Sequence, residues 1–396
     1  MQASPVPGLP PPDETSARHS ARCAEHIRER IRAAGGSLSF REFMHEALYA
    51  PGLGYYAAGT AKFGRAGDFV TAPEVSPLFG RVLASVVADV LATLGGGDIL
   101  EFGAGSGRLA VDVLRRLEET GRLPDRYAIL EVSAELRDRQ ARLFEQELPG
   151  LRGRIRWLER LPESHRGVVI ANEVLDALPV ERFTVDGGVR QLRVAAAGEG
   201  FAWTDVPAPR SLGNAVRTIE AALGRELENG YTSEVSPLLG PWIGAVADCL
   251  DTGAVLLFDY GASRREYYAP DRSGGWLRCH FRHHAHSDPL VLPGIQDLSA
   301  WVEFTAVAEA ARGAGLDIGG YVTQAQFLLS GGIVDELTSA LAAMPPSSRT
   351  AVELASQVKM LTLPGQMGER FKCLGLVRDL QSLPPALTTQ DRTHTL

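Results

Sequence analysis

Residues 98–110 read Asp-Ile-Leu-Glu-Phe-Gly-Ala-Gly-Ser-Gly-Arg-Leu-Ala, an apolar run that ends on Glu101 and breaks into three glycines spaced by two, Gly103, Gly105 and Gly107. Glycine lets a ligand come within reach of backbone N–H groups where a Cβ would collide. A buried strand that turns through such a run and reopens as a helix is therefore suited to hold something polar and flat. Dinucleotide sites use G-x-G-x-x-G, which requires glycine at position 108. This chain has Arg108 there. The pattern that remains, acidic-x-G-x-G-x-G, is that of S-adenosylmethionine sites, with Glu101 reaching toward the positively charged methionine end. A tight strand-to-helix connection without ligand would use the same glycines.

A second carboxylate fits the same chemistry. The short apolar run 127–133, Tyr-Ala-Ile-Leu-Glu-Val-Ser, closes on Glu131, 26 positions after Gly105. An acid at the end of the second strand of a nucleotide-binding unit can accept both ribose hydroxyls. Helix capping is the competing use, but Ser133 as N-cap and Glu135 in the first turn meet that need without Glu131.

To present both acids at one edge, the chain must build a parallel sheet, and its patterning does so. Strand signals at 98–102, 127–132, 155–158, 168–172 and 254–259 alternate with helix signals at 110–119 and 134–146, which predicts a doubly wound α/β sheet. Residues 320–324 and 371–377 supply closing strands. Ahead of the sheet lie a helix over 21–34 and a second opened by Ser39 with Glu42 three residues on, an N-terminal helical cap without sheet. Segments 190–194 and 201–204 read as an added hairpin, and 214–227 as a helix. Residues 262–305, with Gly, His, Arg and Pro, break the rhythm as an insertion. The expected division is a disordered tail over 1–20, the cap over 21–94, the cofactor-binding core over 95–261, the insertion over 262–310, closing helices and strands over 311–380, and a tail over 381–396.

Bulk numbers bound the partners. With 396 residues, 45% hydrophobic and 22% charged, there is material for one large domain with additions or for two. A formal net charge of −8 argues against nucleic acid as the main partner and suits a basic protein or peptide. No wholly apolar run approaches the ~20 residues that cross a bilayer, and residues 1–12 lack the charged head and apolar centre of a secretion signal. A cytoplasmic chain is expected, or a matrix one if the source is eukaryotic. Cys23, Cys249, Cys279 and Cys373 have no C-x-x-C spacing, so they read as reduced thiols.

Several stretches together resemble one family, the MidA-like S-adenosylmethionine-dependent methyltransferases. They are PGLGYY (51–56), GDFVTAPEVSPLFG (67–80), LEFGAGSGRL (100–109), ILEVS (129–133), ANEVLDALPVERF (171–183), LLFDYG (256–261), DPLVLPGIQDLSAWVEF (288–304) and MGERFKCLGL (367–376). They cover nearly everything between the two expected tails. The chain departs from the family pattern at Trp301 and Glu303, in place of His and Asp, and at His280-Phe281, in place of a tyrosine pair. The resemblance implies a Rossmann-like class I methyltransferase sheet and S-adenosylmethionine as cofactor. Mitochondrial relatives are complex I assembly factors acting as protein arginine methyltransferases. The resemblance therefore implies a protein arginine as acceptor, in a complex I subunit or its bacterial equivalent.

Methyl transfer from a sulfonium is an in-line displacement, so the protein has to align nucleophile, methyl and sulfur, exclude water and accept one proton. A guanidinium has a pKa above ~12, and paired carboxylates can grip it and take the proton as the methyl arrives. The segment 172–179 follows the fourth strand at the carboxyl edge of the sheet, where ligands bind. It offers Glu173 and Asp176 as the catalytic pair and Asn172 beside the methionine moiety. A turn cap before Pro179 and a solvated loop acid are the plain alternatives. Asp259 and Tyr260 reach the same edge. Thr71, Pro73 and Glu74 are expected to line the cofactor pocket from above, while Ser76 and Pro77 start a helix. Tyr55 and Tyr56 are either core or an aromatic wall for a guanidinium. Arg278, His280, Arg282, His283, His284 and His286 form the densest basic cluster. Without paired cysteines or a His-Glu-x-x-His helix it reads as part of a substrate-covering insertion, and no metal site is assigned.

The reading is a methyltransferase. A small-molecule O- or N-methyltransferase would use the same cofactor site. A non-enzymatic assembly factor is disfavoured by the intact Glu101, Gly103, Gly105, Gly107 and Glu131, and a nicotinamide-dependent oxidoreductase by Arg108. Oligomeric state is not legible.

Overall fold

Buried, nearly continuous apolar strands make the centre of the molecule. The computed structural model describes residues 8–58, 71–345 and 348–396. Strands β2 (Asp98–Phe102), β3 (Tyr127–Leu130), β4 (Ile155–Leu158), β5 (His165–Asn172), β10 (Leu250–Ala262), β14 (Val302–Glu303), β15 (Asp317–Thr323) and β16 (Phe371–Arg378) form one sheet, in the order β15-β16-β10-β5-β2-β3-β4 with β14 added beside β10. All pairings are parallel except those of β16 with β10 and β15. This is the expected Rossmann-like α/β sheet. Its strand order reverses between β2 and its neighbours β3 and β5, which opens a crevice at their carboxyl ends. At the opposite ends, β2, β5 and β10 are pinched together. A Cβ on Gly167 (φ +145) would lie 1.9 Å from the Asp98 carbonyl oxygen, and one on Gly253 (φ +135) 1.9 Å from that of Gly167. Only glycine fits both.

Helices cover both faces. On one lie α4 (Pro77–Leu94) and α5 (Arg108–Glu119). α4 begins at an N-cap Ser76 with Pro77 in its first turn and stops at Gly95 in the left-handed region, as its capping chemistry requires. By length and composition α4 would also span a membrane, but most of it is buried in this core. On the other face lie α8 (Leu239–Cys249) and the helix Phe304–Gly313. The helix α6 (Ala134–Glu147) follows β3 with Ser133 as its N-cap.

Several expected boundaries need correction. Residues 14–20 are not a tail: α1 runs Glu14–Ala33, capped by the Asp13 side chain on Ser16 N–H, and buries Ser20, Cys23, Ala24, Ile27 and Ile31. Residues 1–7 lie outside the described residues. The segment 21–94 is not a purely helical cap. Ahead of α2 (Phe40–Tyr49), whose Ser39–Glu42 capping box is formed, β1 (Ser37–Ser39) pairs antiparallel with β7 (Val189–Ala197). Its partner is more than 150 residues away, beyond any local signal. α4 likewise belongs to the core layer and not to the cap. The added hairpin, β7 (Val189–Ala197) and β8 (Gly200–Pro207), joins β1, β6 (Glu181–Val185) and β9 (Thr232–Val235) in a five-stranded sheet, and helix α7 (Arg210–Leu223) follows it.

Within 262–310, β11 (Leu277–Phe281), β12 (His284–His286) and β13 (Asp297–Ala300) make a small sheet of their own. The helix Phe304–Gly313, at the end of that expected insertion, is instead part of the core layer. The expected tail 381–396 also packs: Leu387 is fully buried, and Arg392 N–H donates to Tyr321 O at 2.7 Å, covering edge strand β15. Its Pro-Pro and Thr-Thr composition concealed an edge cover.

Candidate active site

The three glycines turn as their spacing predicts, with φ of +58° at Gly103, +54° at Gly105 and +85° at Gly107. Gly103 N–H donates to Leu130 O, which ties the turn to β3, and Gly107 N–H closes on Ala104 O. A cavity of about 360 Å³ opens over this turn. It brings together Thr71, Pro73, Glu74, Glu101, Gly103, Gly105, Glu131, Asn172 and Glu173, which come from stretches scattered over a hundred residues. Two expected members stand apart. Gly107 does not line the cavity: it precedes α5 with its Cα against Phe144 and Gln140, where a Cβ would approach to 3.2 Å. Asp176 is buried behind the wall.

Glu101 is 2% exposed and accepts a hydrogen bond from the Tyr127 hydroxyl at 2.8 Å. Burial, with a smaller push from Glu131, raises its carboxyl to about 7, against the pull of Tyr127. Glu131 sits one strand over. Its Oε1 accepts from Ser133 N–H at 2.9 Å and its Oε2 from the Gln140 amide at 3.4 Å. Burial raises its pKa, and these donors oppose the rise. Beside it Val132 is 77% exposed and presents an apolar face to the cavity. Glu74 reaches over the turn and accepts from the Ser106 hydroxyl.

Beyond β5 the site is rich in acids. Glu173 follows β5 in the left-handed region, φ +54°, with its N–H on Phe258 O at 2.8 Å. This uncommon backbone turns its side chain beside Asn172, whose amide donates to Glu173 Oε1 at 3.2 Å. Among the described residues, Asn172 Oδ1 and Glu173 Oε2 are buried without a hydrogen-bond partner. Asp259 at the end of β10 accepts from Leu175 and Asp176 N–H, and Asp297 of β13 accepts from the Tyr56 hydroxyl at 2.8 Å. Burial and mutual repulsion hold Glu173, Asp176 and Asp259 well above the usual carboxylate range.

The two tyrosines divide their roles. Tyr55 is core, whereas Tyr56 lines the cavity. Tyr49, stacked on Tyr56 at 5.5 Å, and Trp242 of α8, 4.9 Å from Phe102, complete the wall, and sequence reasoning had not singled either out. Tyr49 ends α2 just before the PGLGYY motif, which is the signal that points to it. Trp242 carries none. The Arg/His cluster forms the β11–β12 hairpin, with Arg282 and His283 both at positive φ as a two-residue turn requires. Arg282 pairs with Asp13, and His280 approaches the acids, 3.8 Å from Asp297.

A glycine turn flanked by one acid per strand, with a cavity between them walled by Phe102, Leu130, Val132 and Trp242, fits a nucleoside cofactor with a cationic tail. A family model described as "Putative S-adenosyl-L-methionine-dependent methyltransferase" matches residues 82–322. The chain belongs to the MidA-like methyltransferase family. The crystal structure of a Burkholderia thailandensis protein bound to S-adenosyl-homocysteine is 40% identical, with TM-score 0.92 over 98% of this chain and all of that one. The Drosophila melanogaster protein arginine methyltransferase NDUFAF7 homolog, mitochondrial, is 28% identical over 95% of this chain and 91% of its own length. The Homo sapiens protein arginine methyltransferase NDUFAF7, mitochondrial, is 28% identical over 89% and 82%. This MidA-like chain is a methyltransferase that uses S-adenosylmethionine.

Proposed function

We propose that the methyl acceptor is an arginine of a protein substrate, and that the cavity holds cofactor and guanidinium end to end. The carrying observation is Glu173, which lines the cavity in front of the buried Asp176, Asp259 and Asp297 and whose Oε2 has no hydrogen-bond partner among the described residues. An unpaired buried acid is costly unless a cation meets it, and a guanidinium brings five donors in a fork that suits a carboxylate. Glu101 takes the cofactor's ammonium, Glu131 its ribose hydroxyls, and Gly103 and Gly105 leave room for the backbone to approach. Asn172 flanks the methionine moiety, while Thr71, Pro73 and Glu74 close over it. Glu173 grips the guanidinium and receives the proton. Asp176, behind it, sets the local charge and does not touch the acceptor, a lesser role than the sequence suggested.

The names of the fly and human relatives support the arginine reading, and a respiratory complex I subunit or its bacterial equivalent is the acceptor proposed from the family resemblance. Cytoplasmic or matrix location goes with that proposal. A Glu173→Gln variant tests it: S-adenosyl-homocysteine binding by calorimetry should stay within a few-fold of wild type while methyl transfer falls at least ~100-fold. Undiminished transfer would remove Glu173 from the mechanism.

A further inference from the structure

Gln140 lies on the buried stripe of α6 one turn before Phe144, a position where packing calls for an apolar side chain, yet it is fully buried and polar. Every polar atom of its amide is used. Oε1 accepts from the Trp157 indole N–H at 2.8 Å, and Nε2 donates to Gly105 O at 2.9 Å and to Glu131 Oε2 at 3.4 Å. An indole nitrogen can only donate, so Trp157 fixes which way the amide faces. The two N–H bonds are thereby directed at the middle glycine of the turn and at the acid of the neighbouring strand.

We infer that Gln140, oriented by Trp157, is a positioning residue that sets Glu131 to receive a vicinal diol and so makes the site selective for a ribose cofactor. The inference rests on Glu131 as the ribose acid. Glu131 already spends one lone pair of Oε1 on Ser133 N–H and one of Oε2 on Gln140. Val132 N–H also favours the ionised carboxylate, and the acceptor positions that these donors leave can take neighbouring hydroxyls. The same amide holds the Gly105 carbonyl toward α6, so that this oxygen does not turn into the cavity against the ligand. One side chain thus locks the glycine turn and the ribose acid into a single register.

The test is a cycle between protein and ligand. Calorimetry would compare S-adenosyl-homocysteine with its 2′-deoxyadenosyl counterpart on the wild-type full chain, on Gln140→Leu and on Trp157→Phe. Wild type should prefer the ribose ligand by at least about tenfold, the worth of one hydrogen bond to a charged group. In Gln140→Leu that preference should shrink to within about twofold, because an unheld carboxylate gains less from the second hydroxyl. Trp157→Phe, which keeps an aromatic ring and loses the N–H, should give an intermediate preference with the native circular dichroism spectrum retained, and it keeps the test open should Gln140→Leu fail to fold. A merely structural role would weaken both ligands equally and leave their ratio alone, and that result would overturn the inference. Absence of any ribose preference in wild type would instead overturn the assignment of Glu131.

Discussion

The acid of the first strand ties cofactor binding to pH in a way that can be calculated. Glu101 is buried at the sheet edge, its carboxyl is pushed up to about 7, and the Tyr127 hydroxyl donates to it at 2.8 Å. On the proposal that Glu101 takes the cofactor's ammonium, binding requires the ionised form. Below pH 7 a proton must leave before the ligand binds, so affinity for S-adenosyl-homocysteine should fall about tenfold per unit, and about a hundredfold by pH 5. Tyr127→Phe removes a hydrogen bond to a charged group worth about 1.5–3 kcal/mol, or about 1–2 pKa units at 1.36 kcal/mol each. The decline in that variant should then persist through pH 8. Glu101→Gln should bind weakly and without pH dependence. Titrations in buffers of different ionisation enthalpy would count the proton released at pH 6. A flat wild-type profile, or a Tyr127→Phe profile superimposable on it, would refute the reasoning.

Other consequences follow from the same geometry. Because the folded pKa of Glu101 lies above its ordinary value of 4.5, the ligand-free protein should lose stability as pH rises from about 4.5 through about 7, and denaturant unfolding with saturating S-adenosyl-homocysteine should recover it. Glu173→Gln removes a buried acid whose ionisation burial and Asp176 oppose, so the variant should gain stability over wild type as pH rises, by about 1–3 kcal/mol, seen in the ligand-free protein as a higher urea midpoint, even as transfer is lost. Gly167→Ala, whose Cβ would lie 1.9 Å from the Asp98 carbonyl oxygen, should cost more than about 3 kcal/mol or prevent folding, whereas Gly121→Ala, also at positive φ but in open space, should cost about 1 kcal/mol. Tyr56→Phe frees Asp297 of its donor and should raise the KM for the acceptor several-fold with cofactor affinity unchanged, as steady-state kinetics would read.

Much of the cofactor site was legible because its chemistry is local. A strand that ends in an acid and three alternating glycines constrains its own backbone, and Glu101, Gly103 and Gly105 reach the cavity from that one stretch. Asn172 and Glu173 were placed by the strand before them, since the carboxyl edge of a parallel sheet collects whatever follows each strand. Asp176 lies close enough to Glu173 to raise its carboxyl, as their spacing suggested, but Glu173 alone of the two lines the cavity, because the left-handed backbone at Glu173 replaces the helical turn that would have put both on one face. Trp242 and the β1–β7 pairing were hidden because they arise from contacts between segments far apart in the chain. The packed C-terminus was hidden by composition, since Ala386 and Leu387 bury themselves within what otherwise reads as polar tail. Gln140 could not be found by pattern, because a lone polar residue on a helix stripe gains meaning only when its partners are in place.

The central claim is that the cavity delivers a methyl group to arginine. The most direct measurement uses S-adenosylmethionine with a deuterated methyl group, the purified protein, and an extract of cells lacking it, followed by hydrolysis and mass analysis of the amino acids. The account predicts deuterated methylarginine with wild-type protein and none with Glu173→Gln. Label on another residue, or no transfer by protein that binds S-adenosyl-homocysteine, would contradict it.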